Sequence, residues 1–163
     1  MDINKLIFML AIVATGMMAG IFFTWSNAVK PGIGVLNDSV YLSALQSMNR
    51  VIINPLFFIV FMSPVIFLPI ATALNHGSNA IYDFRLLLAA TLIYWAGAFL
   101  VTIMGNIPLN ELLNHTILEK SSMEELSNLR DRIEVKWNVF NLIRTISSTI
   151  SFVLVTLSIL LSK

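Results

Sequence analysis

The chain has 163 residues, 57% of them hydrophobic and only 12% charged, with a formal net charge of +1. Such a balance leaves too little polar surface for a large soluble domain and no basic excess for a nucleic-acid partner. Cysteine is absent, which removes thiolate nucleophiles, a disulfide relay, iron–sulfur clusters and cysteine-attached haem.

Four runs lack Asp, Glu, Lys, Arg and His: Leu6 to Val29, Val51 to Leu74, Leu86 to Asn110 and Thr145 to Ser162. Each is near or above the roughly 18 to 20 residues that a helix needs to cross a bilayer. They lack the strict alternation of barrel strands, and hydrocarbon obliges backbone groups to pair within the segment, so helices are the physical solution. The fold expected is all-α: a polytopic membrane protein forming a four-transmembrane-helix bundle, with amphipathic helices on one side. Residues 1–163 make a single domain, with spans at about 6–27, 54–74, 85–106 and 140–162 and amphipathic segments at about 38–52 and 122–138. The lipid bilayer is thus the first partner, and the localisation expected is multi-pass, in the cell (plasma) membrane.

The first run follows Lys5 as a secretory signal would. It is longer than an h-region and ends in Trp25-Ser26 without a small-residue cleavage site, so it reads as a retained span. Gly16 and Gly20, with Ala11, Ala14 and Ala19, give it a small-residue stripe suited to close helix packing. Pro31 and Gly32 are expected to break it, with Trp25 at the interface.

From Asn37 or Asp38, either of which could cap, Tyr41, Leu45, Met48 and Ile52 recur at helical spacing. Ser39, Ser43, Gln46, Ser47 and Arg50 occupy the other side, so an amphipathic helix is expected along the membrane surface. Asn54-Pro55 opens the second span, and Pro64 and Pro69 inside it predict a distortion that neighbouring helices support. A turn holding Asn75, His76, Asn79 and Asp83 makes the second and third spans antiparallel neighbours. The third span runs from about Arg85 to Gly105-Asn106, where Pro108 is expected to end it and can start a short helix from Leu109 to Leu113. Ser121 or Ser122 with Glu124 or Glu125 forms a capping box, followed by the apolar stripe Leu126, Leu129, Ile133, Trp137 and Phe140. That helix can run unbroken into the fourth span as one rod.

Four spans place Trp25, Ser26, Gln46, Asn49, Arg50, Asn54, Asn106, Asn110, Trp137, Asn141 and Arg144 on one membrane side. Trp137, Asn141, Arg144 and Ser148 share one helix face at spacings of four, three and four. A cation at Arg144 is costly at the start of an apolar run unless it snorkels or finds acceptors, and the amides supply acceptors. Helix capping and lipid-phosphate contacts explain each residue singly. The set points to a pocket, because capping requires neither an arginine nor two tryptophans beside six amides. The charges from Glu119 to Lys136, Arg130 among them, read as a solvated face with salt bridges. Glu111 and His115, four apart, make a possible carboxylate–imidazole pair but no metal site, and no metal ligand set is assigned. By the positive-inside rule, Lys30, Arg50, Lys120, Arg130, Arg132 and Lys136, against Lys5, Arg85 and Lys163, favour a cytoplasmic motif side.

The motifs Gly20-Ile21-Phe22-Phe23-Thr24-Trp25-Ser26 with Val29-Lys30-Pro31-Gly32, Gln46-Ser47-Met48-Asn49-Arg50 with Asn54-Pro55-Leu56-Phe57, Gly105-Asn106-Ile107-Pro108-Leu109-Asn110, and Trp137-Asn138-Val139-Phe140-Asn141-Leu142-Ile143-Arg144-Thr145 follow in that order. Together they resemble the anthrone-oxygenase-like family of small four-helix membrane proteins, long catalogued as a domain of unknown function. The resemblance covers essentially the whole chain. It implies oxidation of a small lipophilic aromatic, anthrone- or phenol-like, by molecular oxygen without a cofactor. On that basis Arg144 would stabilise an enolate-like oxygen, with Asn141, Asn106 and Asn110 orienting it. Trp25 and Trp137 would wall the substrate, Ser26, Gln46, Asn49 and Asn54 would complete the site, and His115 is the candidate base. A non-catalytic binder of a lipid, quinone or small lipophile, and a structural membrane subunit, are the alternatives.

Overall fold

A computed structural model of the protein describes residues 3–77 and 82–161; Asn79, Ser162 and Lys163 of the expectations above lie outside them. Helix α1 runs over Ile3–Thr24, passes through a π-helical turn at Trp25–Val29 and continues as α2, Lys30–Gly34. Then come α3 (Asp38–Ile52), α4 (Pro55–Leu74) and α5 (Phe84–Tyr94), which passes through π-helical Trp95–Leu100 and Thr102–Asn106 into α6 (Ile107–Asn114). A 3₁₀ turn at Leu118–Lys120 leads to α7, Met123–Leu160. No strand occurs among the described residues.

Four of these continuous helices, 3–34, 55–74, 84–114 and 123–160, are long and apolar enough to cross a membrane. The protein is a multi-pass integral membrane protein built as a helical bundle. Helix α1 packs on α4 and α7, and α5 packs on α4 and α7, so the four spans form a ring. Phe8, Met18, Phe22, Leu68, Leu87, Tyr94 and Val155 fill its core. Beyond it, α3, α6 and the first half of α7 enclose a second, smaller core of Tyr41, Leu42, Leu45, Leu113, Leu126, Ile133 and Trp137.

Two expected breaks are absent. Pro31 and Pro108 do not end their helices, because each follows a π-turn that widens the coil ahead of the ring. Lys30 N–H reaches back five residues to the Trp25 carbonyl, and Ile107 N–H does the same to Thr102. The wider turn relieves the clash that a proline ring otherwise makes with the carbonyl four residues back. Inside α4 the relief is tertiary. Pro69 has no N–H to give to the Val65 carbonyl, and the indole Nε1 of Trp95 donates to it instead at 3.2 Å.

Helix α3 is capped by Asn37, whose side chain accepts from Val40 N–H. Its buried face is rotated from the expected one: Tyr41, Leu42, Leu45, Gln46 and Asn49 are buried, while Ile52 is exposed. The reason is that the end of α6 and the turn after it turn carbonyls with a spare lone pair toward α3. Gln46 Nε2 donates to the carbonyls of Leu113 (2.8 Å) and Thr116 (3.1 Å). Of the small-residue stripe, Gly16 faces the Phe152 ring of α7, whereas Gly20 faces open space. The tightest approach lies elsewhere, at Gly97, where any Cβ would collide with the side chain of Ser147.

The start of α7 carries a complete capping box of Ser122 and Glu125. The backbone N–H of Ser122, and then its hydroxyl, hold the Glu125 carboxyl below the usual range. Arg130, expected in a solvated face, is instead largely buried. Its Nη2 donates to the Gly34 carbonyl (2.8 Å), Nη1 to the Leu36 carbonyl (2.7 Å) and Asp38 (3.0 Å), and Nε to Glu134 (2.7 Å). One guanidinium thus satisfies the C-terminal carbonyls of α2 and ties it to α7. The Tyr41 ring lies 4.3 Å beneath it, and burial, then the Glu134 carboxylate, push that phenol up to about 12.

Candidate functional site

The two apolar cores meet at a polar layer, where α7 passes from the smaller core into the ring. Arg144 projects inward there, only 6% exposed. Its Nη2 donates to Asn141 Oδ1 at 2.8 Å and its Nη1 to Thr102 Oγ1 at 3.4 Å. The guanidinium lies 4.4 Å over the Phe22 ring and 5.2 Å from that of Trp137. Its Nε–H has no partner, and no carboxylate pairs with it among the described residues. Two further buried atoms of α5 and its continuation are unpartnered: Tyr94 Oη and Asn106 Oδ1.

Asn141 links this arginine to α1. Its Nδ2 donates to the Phe22 carbonyl (3.1 Å) and to Ser26 Oγ (2.9 Å). A carbonyl oxygen has two lone pairs, so Phe22 can accept this bond beside its helical one. Asn106 Nδ2 donates to the Trp137 carbonyl (3.3 Å), and Asn110 Oδ1 accepts from Trp137 Nε1 (2.7 Å). Two π-turns therefore carry Trp25, Ser26, Thr102 and Asn106, and single-turn π-segments are frequent at functional sites.

The structure thus brings together Trp25, Ser26, Asn106, Asn110, Trp137, Asn141 and Arg144. Three expected members stand apart. Asn54 caps α4, accepting from Phe57 N–H (2.9 Å) and donating to the Val51 carbonyl (2.9 Å). Gln46 staples α3 to α6, and Asn49 is buried in α3 with its Nδ2 unpartnered. His115 is also remote, an exposed residue 3.4 Å from Glu111.

Trp25 and Trp137 are not opposing walls. Their ring centroids are 4.2 Å apart at 45°, whereas a ring held between them needs roughly 7 Å, twice a carbon–carbon contact. The two rings pack on one another, with Trp137 buried in the smaller core and Trp25 packed against it. Arg144 lines neither of two grooves that open on the surface nearby. One, about 410 Å³, lies between Ser26 and Lys30 on one side and Asn138, Val139 and Leu142 on the other. The second, about 330 Å³, is lined by apolar groups including Leu100, Met104 and Phe140.

Sequence reasoning missed Phe22, Thr102 and Asn138. Phe22 and Thr102 each lie four residues before an expected site residue, Ser26 and Asn106, and that spacing was the available signal. Asn138 accepts from Trp25 Nε1 (3.2 Å) and sits beside Trp137 in the chain.

A family model described as Anthrone oxygenase matches residues 50–154, well over half of the chain. No curated protein and no solved structure matches it.

Proposed function

Because the chain belongs to the anthrone oxygenase family, we propose that it oxidises a lipophilic anthrone- or phenol-like aromatic with molecular oxygen, using no bound cofactor. The observation that carries this reading is Arg144, a buried guanidinium with an unpartnered Nε–H and, among the described residues, no carboxylate to neutralise it. A cation kept in an apolar layer at such cost is poised for negative charge that arrives with a ligand or develops on it.

The chemistry balances as a methylene and dioxygen giving a carbonyl and water. A base removes one proton from the activated methylene, and the carbanion, delocalised onto oxygen as an enolate, passes one electron to dioxygen. The substrate radical and superoxide join as a peroxide anion, which takes the abstracted proton back from the base as a hydroperoxide and then loses water across its O–O and C–H bonds to leave the carbonyl. The substrate supplies all the electrons. Arg144 stabilises the enolate oxygen, Asn141 fixes the guanidinium, and Asn106 and Asn110 hold Trp137 in place through its carbonyl and its indole. Trp25, half-buried where Trp137 is covered, is the ring of the pair that a flat aromatic reaches first.

The test is oxygen uptake on anthrone by purified protein, with Arg144→Leu alongside. A fall of about 10²-fold or more is expected, and unchanged uptake in a folded variant overturns the reading. A non-catalytic binder of a lipid, quinone or small lipophile is the alternative reading. Absence of uptake by the unaltered protein on anthrones and phenols alike decides for it.

A further inference from the structure

Along α7, Glu134, Val135, Asn138, Val139 and Leu142 fall on one face and look across the 410 Å³ groove at Ser26 and Lys30. Its polarity changes along its length. Lys30 and Glu134 stand at one end, beside the smaller core, and Val139 and Leu142 line the other, 50% and 51% exposed, where α7 meets lipid. Between them lies Asn138, whose Oδ1 is taken by Trp25 and whose amide N–H groups have no acceptor among the described residues. Lys30 makes no ion pair among the described residues.

Ser26 connects this groove to the arginine. Its Oγ accepts from Asn141 Nδ2 (2.9 Å), and Asn141 Oδ1 accepts from Arg144 Nη2 (2.8 Å). Two hydrogen bonds therefore separate the groove from the guanidinium. The other groove has no such link, and its lining, with Ala96, Val101 and Ile143, offers nothing that lipid tails do not satisfy equally well.

We infer that the groove between Ser26 and α7 is the docking and access site for a planar amphiphile. The ligand has an acidic or hydrogen-bonding oxygen at Ser26, Asn138 and Lys30 and a flat apolar body on Val139 and Leu142. Its volume falls in the roughly 300–1,000 Å³ range of small-molecule sites, which pair apolar walls with a few placed polar groups. From Glu134 to Leu142 the wall rises about 12 Å at 1.5 Å per residue, short of the roughly 15 Å of acyl chain in one leaflet. A compact polycyclic phenol fits that length better than a phospholipid. The ligand's chemical class rests on the enzymatic reading above; the groove's role in binding does not. A phenolic oxygen that displaces Ser26 from Asn141 enters the relay to Arg144 directly.

The test uses 1,2-dihydroxyanthraquinone, a coloured planar phenol with no methylene to oxidise, added to the protein in phosphatidylcholine nanodiscs while tryptophan fluorescence is followed. Saturable quenching is expected. Val139→Phe with Leu142→Phe, which fills the groove, is expected to raise Kd at least tenfold, and Ala96→Phe, which fills the other groove, to leave it unchanged. Lys30→Met, at an exposed position where folding is not at stake, is expected to weaken binding several-fold. Unchanged Kd in both the groove-filled protein and Lys30→Met, or a loss that tracks Ala96→Phe, overturns the inference. Oxygen uptake that persists with the groove filled overturns the access route and leaves the enzymatic reading standing. Tight groove-dependent binding without uptake on any anthrone does the reverse.

Discussion

Trp95 donates its indole N–H to the carbonyl of Val65, the acceptor that Pro69 leaves without its own helical donor. The distortion that the sequence predicts in α4 is thus repaired from α5, across the helix interface. In hydrocarbon no water can do this, so the bond joins α5's continuation to α4, as the Thr72–Thr91 hydroxyl pair (2.9 Å) joins the same two helices nearer the turn.

Trp95→Phe should therefore destabilise the protein by about 1 to 3 kcal/mol, the cost of stranding a buried carbonyl. In a Pro69→Ala background, where the backbone N–H restored by the substitution serves the Val65 carbonyl, the same change should cost markedly less. Thermal melts in detergent of the two singles and the double measure this. Equal costs in both backgrounds would show that the indole acts only through packing.

Asn141 and Arg144 form a second coupled pair. Asn141→Ala should cost about 1.5 to 3 kcal/mol, because it removes a bond to a buried charged group. Arg144→Leu should be near neutral or stabilising, since it deletes a charge with no counter-ion. The double variant should resemble Arg144→Leu rather than the sum. Additive values in a double-mutant cycle would mean that the two side chains do not act as a unit.

Arg130 bonds to two backbone carbonyls and two carboxylates, so Arg130→Met should cost about 2 kcal/mol or more. Hydrogen exchange should accelerate selectively over residues 30–40. Lysine should rescue little, because an ammonium cannot span acceptors on three segments as the guanidinium fork does. Full rescue by Arg130→Lys would reduce this residue to a generic surface cation.

Glu125 titrates below its ordinary value because of its bonds to Ser122. A depressed carboxyl contributes stability above its unfolded pKa, and that contribution is lost as pH falls through the folded value. Acidification from neutral pH through the carboxylate range should fray the first turn of α7 while the membrane ring persists. Ser122→Ala should fray the same turn at neutral pH by removing the cap hydroxyl, and should lessen the acid dependence only in part, because the backbone N–H that bonds the Glu125 carboxylate remains. Amide exchange at residues 123–127 reads both.

Much of the polar layer was legible because it is written in chain-local spacing. The four uncharged runs decide the number of spans, and the four- and three-residue intervals from Trp137 to Arg144 put those side chains on one face whatever surrounds them. Capping at Asn37 and Ser122 is equally local. Tertiary contact decided the rest. Whether Pro31 and Pro108 stop a helix depends on a widened turn ahead of them. Whether Gln46, Asn54 or Arg130 serves a ligand or a helix terminus depends on which carbonyls neighbouring segments leave exposed. A hydrogen-bonding side chain can take any acceptor within reach, and reach across the fold is set by packing rather than by separation along the chain.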